Sequence, residues 1–406
     1  MNTEPDHNTN EDAVKPGEEP TPSVNRRATV LQVLPALGTS GGVERGTVEI
    51  ANAVVQAGGR AIVVSAGGAK EHELQRVGAE HVTMPVDTKN PIGIYNNIRR
   101  LAALIRREEV DIVHARSRAP AWSAYYAAKR TKTPFITTFH GTYSRGNPIK
   151  RIYNSAMTKG VRVIAISNFI AGHIRQYYGV PSERIRTIHR GVDLTRFSAA
   201  NVTAQRVIPL ANEWRITEGY PVVMLPGRLT RWKGQVVFIE AIARLNRHDL
   251  RCLLVGGDQG RHEFRTELEN LVEKHDLGEV VRIVESCRDM PAAYMLSDVV
   301  VSASTDPEAF GRVIIEAQAL GRPVIATDHG GARETVLENE TGWLVPPGDP
   351  GALAVAIERA LGLSEQRRAV LAEKAITNVR NHFSTEAMCR KTLNVYDEVL
   401  AERSGK

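Results

Sequence analysis

The chain has 406 residues, 42% hydrophobic and 24% charged, with a formal net charge of +6. That length suits two domains rather than one core, and the composition is that of a globular protein rather than a disordered or fibrous one. No run approaches the ~18 apolar residues of a spanning helix, no apolar stretch follows a basic start to form a signal peptide, and three scattered cysteines make neither a disulfide framework nor a zinc motif.

The first 26 residues are polar and lean acidic, and they hold too little apolar surface to be ordered; residues 1–26 are expected to be a disordered tail. From Ala28 onward, short apolar runs alternate with longer amphipathic ones. "ATVLQVLP" reads as a buried strand, followed by the glycine turn "GTSGG" and a helix, "VERGTVEIANAVVQAG". "RAIVVSA", "DIVHA", "PFITTFH" and "RVIAIS" read as further strands. Ile94, Ile98, Leu101 and Ile105 mark one apolar helical face, with Arg99, Arg100, Arg106 and Arg107 off it. "HRGVDLTRFSAANVTAQR" breaks the rhythm and reads as a linker. The rhythm resumes with "PVVMLPGR", "RCLLVGG", "VVRIVE", "DVVVSAS" and "PVIATD". Strands alternating with helices imply parallel sheets covered on both faces. The expected organisation is an α/β chain of two Rossmann-like domains, residues 27–200 and 201–383, facing a central cleft. A final helical segment, 384–406, crosses back onto the first domain. Ligands of such sheets bind beyond the carboxyl ends of the strands.

Residues that follow strands are therefore the candidates. "LGTSGGVER" is not G-x-G-x-x-G, so it carries no dinucleotide fingerprint. Gly41 and Gly42 suit either a plain strand-to-helix turn or a ligand brought close to the backbone at a helix start. His140 ends a strand; it is either structural or placed to polarise a sugar or phosphate. Arg116 and Arg118 also follow a strand and are either surface cations or a clamp for a carboxylate or phosphate on a second substrate. In "LPGRLTRWKGQ", Arg228 and Lys233 share one loop. They form either an exposed basic loop or a seat for a diphosphate, which would offset the opposition between a cation at a helix start and the dipole. In "STDPEAFGRVIIEAQALGRPVIATDHGG", Glu308 stands in the loop and Glu316 about two turns into the helix. The backbone N–H groups around Phe310, Gly311 and Arg312 lie free at the helix start. Carboxylates are strong acceptors for sugar hydroxyls.

The E-x7-E segment, with "GRPVIATDHGGARETV…TGWLVPPGD", "GRLTRWKG" and the glycine pair of the first loop, resembles the family 4 retaining glycosyltransferases of GT-B architecture. The resemblance covers nearly the whole chain after residue 27. It implies that Glu308 holds donor-sugar hydroxyls, Glu316 the nucleoside ribose, and Arg228 and Lys233 the diphosphate. His140 would lie near the reacting sugar, Gly42 near the phosphates or acceptor, and the backbone of Phe310 and Gly311 against the donor. "RSRAPAWSAYYAAKR", "TTFHGTYS" and "CRDMPAAYMLSDVVVSASTDPEAFGR" look more narrowly like lipopolysaccharide-core mannosyltransferases. That implies a hexose, best taken as mannose from GDP-mannose, moved to an anionic glycolipid or saccharide acceptor. The sequence departs from the family pattern at Arg190, where asparagine is usual, and at Ala309, where glycine is usual.

No D-x-D occurs, so neither a metal nor any cofactor beyond the nucleotide-sugar co-substrate is called for. A sugar-nucleotide epimerase or hydrolase of the same architecture, or a non-catalytic sugar-binding protein, would share this fold. A basic body suits an anionic partner. Aromatic residues make up only 5%, too few for nucleic-acid stacking platforms, so no nucleic acid is expected. Arg99, Arg100, Arg106, Arg107, Lys129, Arg130 and Lys132 are either a solvated face or a contact for an anionic membrane surface. The expected location is cytoplasmic, peripheral on the inner face of the membrane.

Overall fold

The structure is a computed structural model. It describes residues 28–38, 41–143, 146–216 and 218–405, and the polar tail of residues 1–26 lies outside them. Seven strands form the first sheet: β1 (Thr29–Val33), β2 (Arg60–Ser65), β3 (Glu80–Thr83), β4 (Ile112–Ala115), β5 (Phe135–Phe139), β6 (Arg162–Ala165) and β7 (Ile185–Thr187). Their order is β3-β2-β1-β4-β5-β6-β7. Six more form the second: β8 (Val222–Pro226), β9 (Arg251–Val255), β10 (Val281–Val284), β11 (Val299–Ser302), β12 (Val324–Thr327) and β13 (Gly342–Val345), in the order β10-β9-β8-β11-β12-β13. Every pairing is parallel, with Val30 set against Ala61 on one side and Ile112 on the other.

The apolar runs become central strands because helices cover both faces. All five residues of β1 are buried, and so are all five of β8. Thr29 and Gln32 are the polar residues of β1; the Gln32 amide donates to the Thr47 carbonyl at 3.1 Å. Both sheets reverse order at their first strand, β1 or β8. In each case this opens a crevice at the carboxyl ends where a ligand can enter.

The helix Thr385–Ser404 returns to the first domain. Met388, Val395, Tyr396 and Val399 join Val30, Ile50, Val54 and Ile112 in one apolar core. The Tyr396 hydroxyl meets His114 Nδ1 at 2.7 Å, and Glu398 accepts from Arg162 at 2.8 Å and from Arg186 at 3.0 Å. The stretch read as a linker is ordered. Val192 bridges to Ser384, and the helix Ala204–Glu213 docks on the helix Met290–Leu296 with Arg206 paired to Asp289.

Candidate active site

A cavity of about 660 Å³ lies between the two sheets. It collects residues that follow strands: Gly42 after β1, His140 after β5, Arg190 after β7, Gly227 and Arg228 after β8, and Gly256 after β9. Glu308, Phe310, Gly311, Arg312 and Glu316 line its other side. A groove of about 730 Å³ on the outside of the second domain is larger. It is walled by Trp343, Arg359, Val370 and Lys374 and receives none of the residues that follow the strands.

Two ion pairs organise the second-domain wall. Lys233 ends a single helical turn, Arg231–Lys233, and its Nζ donates to Glu308 Oε1 at 2.7 Å. Gly234 follows at φ +75°, where a β-carbon would overlap the Ala303 carbonyl, so only glycine lets this loop close on β11. Glu308 Oε1 also accepts from Ser304 Oγ at 2.6 Å and Ser302 Oγ at 3.3 Å. Burial alone would raise this carboxyl. Lys233 and the two hydroxyls outweigh it and hold Glu308 below the usual carboxylate range. The second pair lies within the helix Arg312–Ala319: Arg312 Nη2 donates to Glu316 Oε1 at 2.8 Å, four residues on. The Tyr294 hydroxyl donates to Glu316 Oε2 at 3.0 Å. Burial and then Glu316 itself push the Tyr294 phenol well up, so that it remains a donor.

Between the acids the backbone turns tightly. Gly311 sits at φ +83° and caps the helix from outside. The Phe310 ring is buried between His189 and Phe383, at 5.9 Å and 5.8 Å between ring centres. Ser167 Oγ from the first domain donates to the Ala309 carbonyl at 2.6 Å. Glu334 from the second domain accepts from Asn168 N and Phe169 N, each at 2.7 Å, at the start of the helix Asn168–Tyr178, and its Oε2 meets His189 Nε2, also at 2.7 Å. These contacts fasten the two domains beside the acid loop.

The first-domain wall is less paired. His140 Nε2 is buried without a partner. Burial, then Arg116, Arg190 and His114, pull its imidazole well below the usual range, so it is neutral at pH 7.

With the geometry in place, the likeness to known proteins can be set beside it. Residues 40–196 match Glycosyltransferase Family 4, and residues 209–377 match Glycosyl transferases group 1. A D-inositol 3-phosphate glycosyltransferase of Salinispora tropica is 30% identical over 329 residues, which is 74% of this chain and 68% of that protein. The chain belongs to glycosyltransferase family 4. The crystal structure of a glycosyltransferase from Rickettsia africae aligns with it at a TM-score of 0.86 and 41% identity, covering 92% of this chain and 99% of that one. Anabaena HepE in complex with UDP and glucose aligns at 0.79 with 23% identity, over 91% of this chain and 99% of that one, a likeness of fold. The GT-B architecture expected from the sequence is therefore present.

Of the candidates read from this glycosyltransferase's sequence, Gly42, His140, Arg228, Lys233, Glu308, Phe310, Gly311, Arg312 and Glu316 come together at the cavity. Three do not line it. Gly41 caps the helix Gly42–Gln56, with the Glu44 carboxylate folded over it. Arg116 is 3% exposed and lies behind the wall. Arg118 stacks on the Tyr143 ring at 4.3 Å and donates to Asn154 Oδ1 at 3.2 Å. Glu316 is the fifth residue of its helix, little more than one turn in rather than two, because the helix starts at Arg312. The sequence reading passed over Ser302, Ser304 and Tyr294, which position the acids, and Ser167, His189 and Glu334, which join the domains. The serines were visible as an alternating pair just before the acid loop. Nothing local marked Tyr294 or Glu334.

Proposed function

We propose that this glycosyltransferase moves a hexose from a nucleotide sugar to an anionic glycolipid or lipopolysaccharide-core acceptor, with retention and without a metal. The observation that carries the donor half is the pair of cation-held carboxylates, Lys233–Glu308 and Arg312–Glu316, on either side of a helix start in one cavity. Glu316, steered by Tyr294 and Arg312, takes the ribose hydroxyls. Glu308, steered by Lys233 and two serines, takes hydroxyls of the donor sugar. The free N–H groups at Gly311 and Arg312, together with Arg228 and Lys233, hold the diphosphate and stabilise the charge it gains on leaving. The bond from the anomeric carbon to the phosphate oxygen breaks, and the acceptor oxygen bonds to that carbon on the same face. The acceptor proton passes to the departing phosphate. Neutral His140 hydrogen-bonds the sugar at the reaction centre without adding to the positive charge there.

Mannose from GDP-mannose is the donor suggested by the lipopolysaccharide-core motifs. HepE holds UDP in the same architecture, so base and sugar are matters for measurement. A melting-temperature screen against GDP-, UDP- and ADP-sugars identifies the donor, because a ligand bound only by the native state raises its stability. Release of nucleoside diphosphate only when acceptor is present supports transfer. Acceptor-independent turnover would contradict it.

The anionic acceptor and a peripheral place on the membrane draw support from charge. No Asp or Glu stands between Asp111 and Glu183, a run with eleven lysines and arginines. Arg99, Arg100, Arg106, Arg107, Lys129, Arg130 and Lys132 are all exposed. The helix Pro148–Ser155 in that run exposes Ile149 at 76% and Ile152 at 65% beside Lys150 and Arg151. Apolar side chains flanked by cations suit a bilayer interface with anionic lipid. Among the described residues no helix is long and apolar enough to cross a membrane. Flotation with phosphatidylglycerol vesicles, lost in Ile149→Glu, is the expected result; indifference to lipid charge would contradict it.

A further inference from the structure

Arg190 follows β7, and the first domain is shaped around it. Only 5% of it is exposed. Its guanidinium lies across the first turn of the helix Gly42–Gln56 and donates to the Gly42 carbonyl. That turn makes room for it. A β-carbon at Gly46 would overlap the guanidinium, and one at Gly42 would sit 3.8 Å from Arg190 Nη2 and 3.7 Å from Arg312 Nη1. Arg190 lines the cavity, and buried Arg116, with its Nε unpartnered, lies close enough behind to add its field. His140, also on the cavity wall, holds a buried and unpartnered Nε2.

Arg190, Arg116 and the helix start each raise the local positive potential. A helix start carries about half a positive charge, which repels a cation placed on it. Burying a guanidinium without a carboxylate partner is costly. Among the described residues neither Arg190 nor Arg116 forms an ion pair, and Glu49 is the carboxylate whose field reaches both. Burial, with Arg312 and Arg116 and only partly opposed by Glu49, pulls the Arg190 guanidinium down to about 9. A fold that keeps a glycine at Gly46 to house such a cation at the cavity wall is built for a missing anion.

We infer that Arg190, with Arg116 behind it and the first turn of the helix Gly42–Gln56 beside it, seats a phosphate-type anion on the first-domain side of the reaction centre. This rests on the cleft being a glycosyltransferase site and adds to it a residue and a ligand chemistry. The anion is supplied either by the distal phosphate of the donor or by a phosphate on the acceptor. The seat lies on the segment after β7 that joins the domains. The neighbouring His189 reaches Glu334 in the second domain while Arg190 reaches Gly42 in the first.

The test is calorimetric titration of the wild type, Arg190→Gln and Arg190→Lys. The probes are the nucleoside diphosphate that stabilises the wild type most, its monophosphate, and inorganic phosphate with and without saturating diphosphate. If the donor supplies the anion, Arg190→Gln weakens the diphosphate at least tenfold and leaves the monophosphate unchanged. If the acceptor does, diphosphate binding is unchanged, and the diphosphate-loaded wild type binds inorganic phosphate at least tenfold more tightly than the glutamine variant. In both cases the lysine variant retains most of the affinity. Equal binding by wild type and Arg190→Gln, or a lysine variant as weak as glutamine, would make Arg190 a steric brace and overturn the inference. Arg190-dependent phosphate binding without any diphosphate binding would sink the donor reading and leave the anion seat standing; no binding of either probe sinks both. Should Arg190→Gln fail to fold by circular dichroism, Gly46→Ala, which displaces the guanidinium, replaces it in the same comparison.

Discussion

The two walls of the cleft handle charge in opposite ways. On the second-domain wall each acid has a resident cation and a hydroxyl: Lys233 and Ser304 for Glu308, Arg312 and Tyr294 for Glu316. On the first-domain wall Arg190 and His140 face the cavity, backed by Arg116, and among the described residues none of the three forms an ion pair. A wall that is satisfied when empty keeps its acids in position, and a ligand exchanges one set of hydrogen bonds for another. A wall left positive gains most from a ligand that brings negative charge. The difference matches one half that reads a polyhydroxylated nucleotide sugar and another that waits for an anion.

The largest disturbance comes from unpairing the satisfied wall. Lys233→Met removes the cation from buried Glu308 and from the leaving diphosphate. Its kcat/KM is expected to fall about 10²–10³-fold and its melting temperature to drop. Adding Glu308→Gln should restore the melting temperature but not the activity; a single variant with full activity would remove Lys233 from the account. Next is Glu334→Gln, which weakens the bonds at the start of the helix Asn168–Tyr178 and the link to His189. Denaturant unfolding should show a loss of about 1.5–3 kcal/mol, the range for hydrogen bonds to charged groups.

Acidification favours the unfolded chain at two buried histidines. His114, locked between Tyr396 and Thr138 at 2.7 Å each, and His140 are both held well below 6.5 by burial first and by Arg116 next. Below pH 6.5 the unfolded chain takes up protons at these positions and the folded chain does not. Stability is therefore complete above pH 6.5 and declines as pH falls below it, by about 1.4 kcal/mol per pH unit for each histidine. Glu308 and Glu334, both lowered from 4.5, add their losses only below about that pH. Chemical unfolding at pH 7.5, 6.0 and 5.0 reads the slope, and His114→Gln should lessen it by one proton; a flat profile would contradict the buried, neutral state. The smallest effect is that of Ser167→Ala, which removes one hydrogen bond to Ala309. About 0.5–1.5 kcal/mol of stability should be lost, with KM for the donor raised more than kcat is lowered if this contact steadies the acid loop.

Most of the architecture was legible in the sequence because parallel strands buried on both faces are written as apolar runs. Three strands escaped notice: β13, Gly342–Val345, is mostly buried but is only four residues long and opens on glycine, and the other two lack that signature. In β3, Glu80–Thr83, no residue is fully buried, and β7, Ile185–Thr187, is three half-buried residues at the sheet's edge. The acid loop was legible because its parts are adjacent in the chain. Arg116 was misplaced because following a strand does not say whether a side chain turns into the cleft or behind it. The final helix fills the space behind, bringing Tyr396 and Cys389 near the guanidinium. Tyr294, Glu334 and the setting of Arg190 depend on elements far apart in sequence, and no local spacing announces them.

The most direct measurement compares Glu308→Gln and Glu316→Gln by calorimetric titration with the stabilising nucleotide sugar and with its nucleoside diphosphate. Losing a charge-assisted bond should weaken binding by about 1.5–3 kcal/mol. Glu316→Gln should weaken both ligands alike, because both carry the ribose. Glu308→Gln should weaken only the nucleotide sugar. Two acids that affect both ligands equally, or neither, would contradict the assignment of one acid to each end of the donor.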